Sequence, residues 1–213
     1  MKVSWLFDVI SPYCYLSLQQ LPKLPAGVEV ELVPVLFAGL LNHHGQMGPA
    51  EIAPKRRFTY RFIVWRARSM GLPLKVPPAH PFNPLSALRL VIAAGAREPA
   101  VRTAFDFVWG QGRDVSDPAV LADLARELGV TNMEAALSDP NVKQTLRRNT
   151  EGAIEQGVFG VPTFVVGQEL FWGQDSFEMV LDYLRDPAPF NDAQMRSIDS
   201  LPVGVTRPRA TPT

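Results

Sequence analysis

Strand-forming patterns occur only near the two ends of this chain, and a long helical stretch separates them. Val3–Phe7 is an apolar, β-type run, Pro12–Leu24 carries a helical pattern through Leu16, Leu18 and Leu21, and Val28–Leu36 alternates at Val28, Val30 and Leu32. The short links between these three segments favour a parallel strand pair with a right-handed crossover. From about residue 50 to 157 no credible strand appears. Phe58, Phe62, Trp65 and Ser69 share one helical stripe; so do Leu85, Leu88 and Ile92, and then Val120 or Leu121 with Leu124 and Leu128. Asp117-Pro118 and Asp139-Pro140 each read as a capping residue followed by a first-position proline, so the block holds roughly five or six helices. Strands return at Thr163–Val166 and Glu169–Trp172, joined by the two-residue turn Gly167-Gln168. A last helix is expected from Asp175 to about Arg185, with Phe177, Val180, Leu181 and Leu184 as its buried stripe. The chain is therefore of the α/β class: β-α-β, a helical block, then β-β-α.

At 213 residues and 46% hydrophobic, the chain can bury a full core as one large domain or as a domain with an insertion. Its 21 basic and 21 acidic residues cancel, which removes global support for a nucleic-acid or membrane-surface role. Cys14 is the single cysteine, so no intrachain disulfide can form and a reducing compartment fits. There is no apolar run of signal-peptide or transmembrane form, and the expected location is the cytoplasm. Pro187, Pro189, Pro202, Pro208 and Pro212 predict a poorly ordered or surface-draped tail over residues 187–213.

The chemistry concentrates at residues 7–14, Phe-Asp-Val-Ile-Ser-Pro-Tyr-Cys. Ser11 is the natural cap of the helix that Pro12 opens, and it lies just beyond the carboxyl end of the first strand, where ligands bind in open α/β sheets. A strand that delivers Ser-x-x-Cys onto a helix start resembles the thioredoxin-type Cys-x-x-Cys site with its first cysteine replaced. The expected fold is accordingly thioredoxin-like, with an all-helical insertion. Disulfide exchange is lost, but the helix start still favours anions, including a thiolate brought by a cofactor. Cys14, one turn further in, reads as a buried small hydrophobe. Pro162, preceded by Val161 and followed by a strand, reads as a cis-proline beside that helix start, where an extended thiol peptide can add by main-chain pairing; the alternative is an ordinary strand-opening proline.

In Phe171-Trp172-Gly173-Gln174-Asp175-Ser176, Asp175 or Ser176 is a capping residue for the last helix. The same turn can also receive a carboxylate on backbone amides while Asp175 pairs with an amino group, the two ends of a γ-glutamyl moiety. Lys55, Arg56, Arg57, Arg61, Arg66 and Arg68 read as a solvated helix surface, with Lys55 the one best suited to hold an anionic carboxylate. His43-His44 and His80 lack metal-ligand spacing, and neither Gly-x-Gly-x-x-Gly nor a P-loop is present, so neither a metal nor a nucleotide cofactor is expected.

Phe7-Asp8-x-x-Ser11-Pro12-Tyr13-x-Tyr15-Leu16, Phe82-Asn83-Pro84-Leu85-x-Ala87-x-Arg89, Trp109-Gly110-x-Gly112, Phe159-Gly160-Val161-Pro162-Thr163-Phe164 and Trp172-Gly173-Gln174-Asp175 together resemble the 2-hydroxychromene-2-carboxylate isomerase family. That family belongs to the kappa-class glutathione transferase branch of the DsbA-like thioredoxin folds, and the resemblance covers residues 1 to about 185. It implies glutathione as cofactor, with Ser11 hydrogen-bonding its sulfur and Val161, before Pro162, pairing with its cysteinyl backbone. It implies the turn Trp172, Gly173, Gln174 and Asp175 as the receiver of the γ-glutamyl end, and Lys55 as the lysine near glutathione. Gln46 stands where the family usually has asparagine, and Asn83 matches a position lining the substrate side. Cys14 departs from the small or hydroxyl residue usual in the family.

The implied reaction is reversible thiolate addition to the conjugated alkene of a ring-opened aromatic pyruvate, rotation, and expulsion of the sulfur. It interconverts 2-hydroxychromene-2-carboxylate and trans-o-hydroxybenzylidenepyruvate, as in naphthalene degradation, or a related intermediate of aromatic breakdown. The competing reading is a kappa-type glutathione transferase that conjugates electrophiles. A monothiol oxidoreductase working through Cys14 and a glutathione-binding module without turnover are further alternatives. The expected organisation is a thioredoxin-like domain of residues 1–45 and 158–186, a helical insertion domain of 46–157 and the tail, in a homodimer.

Overall fold

A computed structural model of the chain describes residues 1–205. Four strands, β1 (Lys2–Phe7), β2 (Glu29–Pro34), β3 (Thr163–Val166) and β4 (Glu169–Trp172), form one sheet in the order β2-β1-β3-β4. β1 runs parallel to β2, from Lys2↔Glu29 to Phe7↔Pro34, and antiparallel to β3, with Leu6 opposite Thr163. β3 and β4 are joined by the Gly167-Gln168 hairpin, with Val166 opposite Glu169 and Gly167 at a φ of 65°. The two inner strands carry the apolar runs: Val3, Trp5 and Phe7 have no exposed surface, and all of β3 is buried. Trp5 stacks on Phe7 at 4.9 Å between ring centroids, and Phe105 packs against both. The Trp5 indole N–H, buried with them, donates to Ser17 Oγ at 3.2 Å.

Between β1 and β2 lies α1 (Pro12–Leu18), shorter than the Pro12–Leu24 expected from its periodicity. The apolar pattern continues, but Pro22 lacks an N–H for the Leu18 carbonyl and its ring collides there, so the helix stops and Leu21–Lys23 closes as a separate 3-10 turn. After β2 come α2 (Phe37–His44), α3 (Ala53–Ser69), α4 (Leu85–Ala93), α5 (Glu98–Phe105), a π turn over Asp106–Gly110, α6 (Pro118–Glu127), α7 (Met133–Ser138) and α8 (Pro140–Glu155). Asp117 and Asp139 cap α6 and α8 through bonds to Ala119 N (2.8 Å) and Asn141 N (2.7 Å). No described helix is long and apolar enough to cross a membrane.

α9 (Phe177–Arg185) follows β4 and places Phe177 against Phe164 at 5.7 Å. Beyond it the chain makes a 3-10 turn at Ala188–Asn191 and a short helix, α10 (Ala193–Ile198), largely exposed. Phe190 is the exception, half-buried against Phe171 and Tyr183. The expected tail thus begins as surface-draped, locally helical chain; its last part, with Pro208 and Pro212, lies outside the described residues.

Of the aromatic stripe of α3 only Phe62 is partly buried. Phe58 and Trp65 are 67% and 60% exposed, whereas Thr59, Ile63 and Ala67 are buried. The inward face is lined by smaller side chains, and α3 lies against α1, with Phe62 packed on Tyr13.

Candidate active site

Ser11 is built by the end of β1. Its backbone is extended, its N–H donates to Asp8 O at 3.0 Å, and its Oγ accepts from Cys14 N at 3.3 Å as the cap of α1. Pro12 brings no N–H, so Tyr13 and Cys14 are the first donors of the helix. The turn ahead of Ser11 is held on every side: Asp8 Oδ1 accepts from Ile10 N (3.0 Å), Trp109 Nε1 donates to Val9 O (2.9 Å) and His80 Nε2 meets Ile10 O at 2.8 Å. Asp8 has no exposed surface, and its second oxygen accepts from Phe37 N at the start of α2 (2.9 Å). Burial raises its pKa to about 7, and the two backbone bonds only partly oppose this.

Cys14 is fully buried, with the Ser11 hydroxyl and the Asp8 main chain beside its sulfur. Burial pushes its thiol up, beyond what those two contacts recover. The chain's own thiol is therefore neutral and enclosed beneath Ser11.

The antiparallel register carries the Val161-Pro162 loop to the same place. Leu6 lies opposite Thr163, so the residues leading into β3 flank the carboxyl end of β1. The Val161–Pro162 peptide is cis, and Pro162 O accepts from Gly173 N at 2.9 Å, which joins this loop to the turn after β4. The Trp172 indole lies over Gly160, where a Cβ would come within 2.5 Å of Nε1, and packs on Phe159 at 5.1 Å. Gly173 adopts a φ of 96°, and a side chain there would collide with Asp175 Oδ1. Ser176 occupies the cap position of α9, without a side-chain capping bond, and its hydroxyl donates to Gly173 O at 2.8 Å. Gln174 is 6% exposed, and its Oε1 has no hydrogen-bond partner. A buried, orphaned amide oxygen in this turn is suited to receive a donor from a ligand.

α3 forms the facing wall. The Tyr13 phenol faces the Thr59 side chain, and its ring packs on Phe62 at 6.0 Å. Burial pushes the Tyr13 phenol above its ordinary value; the Thr59 hydroxyl works against that and the Asp175 carboxylate adds to it. Tyr13 thereby links α1 to α3, on the side of the site that faces the Asp175 charge. Lys55, exposed in the first turn of α3, stands four residues before Thr59 on the same face.

The structure brings together Ser11, Val161, Pro162 and the Trp172–Asp175 turn, with Lys55 on the adjoining helix. Gln46 and Asn83 are further out. Gln46 is exposed after α2, two residues beyond His44, whose Nε2 lies 3.2 Å from Val158 O. Asn83 is exposed too, and its Oδ1 accepts from Leu85 N (3.0 Å) at the start of α4. Asp8, His80 and Trp109 hold the turn ahead of Ser11, and Tyr60 reaches it through His80. Asp8, Tyr13 and Trp109 stand in the motifs quoted above, but no local pattern assigned any of these residues a role there. Trp109 and His80 reach it from the distant helical block, and only the fold reveals the contact. Among the described residues no cluster of His, Cys, Asp or Glu is arranged to hold a metal.

The topology and the helix-capping serine beside a cis-proline loop define a thioredoxin fold with a helical block between its halves. The chain belongs to the DSBA-like thioredoxin domain family, whose match spans residues 2–185. It is 29% identical over 187 residues to 2-hydroxychromene-2-carboxylate isomerase of Pseudomonas putida, across 84% of this chain and 92% of that protein. It is 26% identical over 207 residues to glutathione S-transferase kappa 2 of Caenorhabditis elegans, across 87% and 92%. A solved structure of a 2-hydroxychromene-2-carboxylate isomerase superposes with a TM-score of 0.75 at 27% identity, over 90% of this chain and 98% of that one.

Proposed function

We propose that this protein is a glutathione-dependent isomerase of the 2-hydroxychromene-2-carboxylate type, acting on a conjugated aromatic pyruvate. The observation that carries this reading is the pairing of an enclosed, neutral Cys14 with a Ser11 hydroxyl at the helix start, since the sulfur that works at this site then comes from a ligand. The relatives named for the isomerase and for glutathione transfer agree with it. The residues present fit glutathione: the orphaned Gln174 Oε1 meets the donors of the γ-glutamyl end, with the Asp175 carboxylate beside it. Glutathione, when bound, supplies a nucleophilic sulfur that adds to the alkene and leaves it again.

In this reading the Ser11 hydroxyl donates to that sulfur, and the first N–H groups of α1 reinforce its charge. α1 has only seven residues, so its field is modest and the hydroxyl bond is the stronger contributor. Val161, before Pro162, pairs with the cysteinyl backbone. Trp172 and Gly173 shape the turn around the γ-glutamyl end. Lys55 attracts a carboxylate from α3, while Gln46 and Asn83 border the substrate side. Residues 46–157 act as an insertion domain that excludes water, over a thioredoxin-like domain of 1–45 and 158–186, in a cytoplasmic homodimer.

The test is the absorbance change of 2-hydroxychromene-2-carboxylate with and without added glutathione. Isomerisation that needs catalytic glutathione and returns it supports the reading; isomerisation indifferent to glutathione, or none, overturns it. Ser11→Ala is expected to fold normally and to lower the thiolate fraction at neutral pH about tenfold, with turnover falling at least as far. The kappa-type relative favours a second reading, transfer of glutathione to electrophiles. Stable conjugates with a model halo-arene identify that activity.

A further inference from the structure

The carbonyl just ahead of Ser11 is gripped from outside its own element. Ile10 O can only accept, so the 2.8 Å contact requires His80 Nε2 to carry a proton. In a neutral imidazole Nδ1 then has none, and Tyr60 OH, 2.7 Å away, donates to it. The same hydroxyl lies 3.1 Å from His80 O, its alternative acceptor. His80 is buried, packed edge-on against Trp109 (5.2 Å) and Phe82 (5.7 Å), and Trp109 holds Val9 O in the same turn. The titratable and charged groups facing His80 are Tyr60 and Arg56, both on α3; the Arg56 guanidinium lies over the Tyr60 ring at 5.7 Å. Burial lowers the His80 pKa, the Ile10 carbonyl only partly opposes this and Arg56 adds to it, which agrees with a neutral ring. A chain of contacts thus runs from α3 through Tyr60 and His80 to the peptide that joins Ile10 to Ser11.

We propose that His80, locked by Tyr60 into the tautomer with its proton on Nε2, is a positioning residue for Ser11: it fixes the Ile10–Ser11 peptide and thereby the direction in which the Ser11 hydroxyl meets a ligand. The inference rests on the role given to Ser11 above, but the hydrogen bonds that carry it are independent of glutathione. His80 touches no substrate; it acts through the turn. Tyr60 selects the tautomer, because without it the proton can sit on Nδ1 and Ile10 O loses its donor. The arrangement also connects α3, which bears Lys55 and Thr59, to the aim of Ser11.

The test compares His80→Gln, whose amide N–H has about the reach of Nε2, with His80→Leu and Tyr60→Phe in the full chain. Amide hydrogen exchange at Ser11 and Cys14 is expected to rise about tenfold in His80→Leu and to stay within about threefold of the parent in His80→Gln. Imidazole nitrogen shifts are expected to report the Nε2–H tautomer in the parent and a mixture in Tyr60→Phe. The midpoint at which bound glutathione ionises, followed by thiolate absorbance, is expected to move up in His80→Leu and Tyr60→Phe and to hold in His80→Gln. Parent-like exchange and ionisation in His80→Leu, or equal losses in the Leu and Gln variants, overturns the proposal. Should His80→Leu fail to fold, Tyr60→Phe, which loses one oxygen, decides in its place. If the parent binds no glutathione by calorimetry, the proposed function fails while the exchange comparison still judges His80.

Discussion

Asp8 brings a carboxyl group without exposed surface into the turn that carries Ser11, and this has a measurable consequence for stability. Its folded pKa is about 7, against 3.8 for the ordinary group, so the folded protein keeps this proton to higher pH than the unfolded chain does. Its contribution is present in full below about pH 4 and is lost as the pH rises through 7. Burial moves His80 the opposite way, so the parent curve mixes two slopes. Asp8→Asn removes one of them. Urea unfolding of variant and parent from pH 4 to 8 is expected to show their difference shifting in the variant's favour by at most about 4 kcal/mol. A constant difference would mean that Asp8 does not titrate in that range. Asp8 stood in plain view in the motif around Ser11, but its depth was not legible there: Phe37 N, its second partner, comes from α2. Ser11 itself was legible because a helix cap is a local signal.

At the scale of elements, local punctuation marked the starts of helices, and the apolar stripes of α4, α6 and α9 marked their buried faces, while that of α3 did not. Asp-Pro pairs marked the starts of α6 and α8, and Gly167-Gln168 marked the hairpin, because each acts within its own turn. The stripe of Phe58 and Trp65 misled about which face of α3 is buried, since that side is decided by the fit of Thr59, Ile63 and Ala67 to the interior. Close approach governs the other wall of the site as well. Gly160→Ala would set a Cβ 2.5 Å from Trp172 Nε1. The variant is expected to lose about 1–3 kcal/mol in denaturant unfolding and to shift tryptophan emission as the indole is displaced. Combining it with Trp172→Ala should cost less than the sum of the two single changes, because the clash disappears with the ring. Additive costs would show that the indole does not press on residue 160.

For the whole molecule, the order of β-α-β, helices and β-β-α was readable because each strand signal lies within a few residues of its turn. The surface path of the tail was not, because it depends on one aromatic among prolines. Phe190 packs on Phe171 and Tyr183, whereas Met195 and Ile198 are exposed. Ending the chain after Asp192 is expected to change unfolding free energy by less than about 0.5 kcal/mol. Ending it after Asp186 removes Phe190 as well and is expected to cost about 1–2 kcal/mol. Equal stability of the two truncations would deny Phe190 any part in the core.

β1 is an inner strand whose second neighbour, β3, is supplied from near the far end of the chain. The site around Ser11 therefore cannot mature as the ribosome releases it: the segment that carries the serine emerges long before β3 and the turn after β4, which form one of its walls. A polypeptide cut short before Trp172 would carry the serine and the first helix but lack the turn that follows β4. Synthesis must pass the turn that follows β4 before this site can present a finished mouth to any ligand.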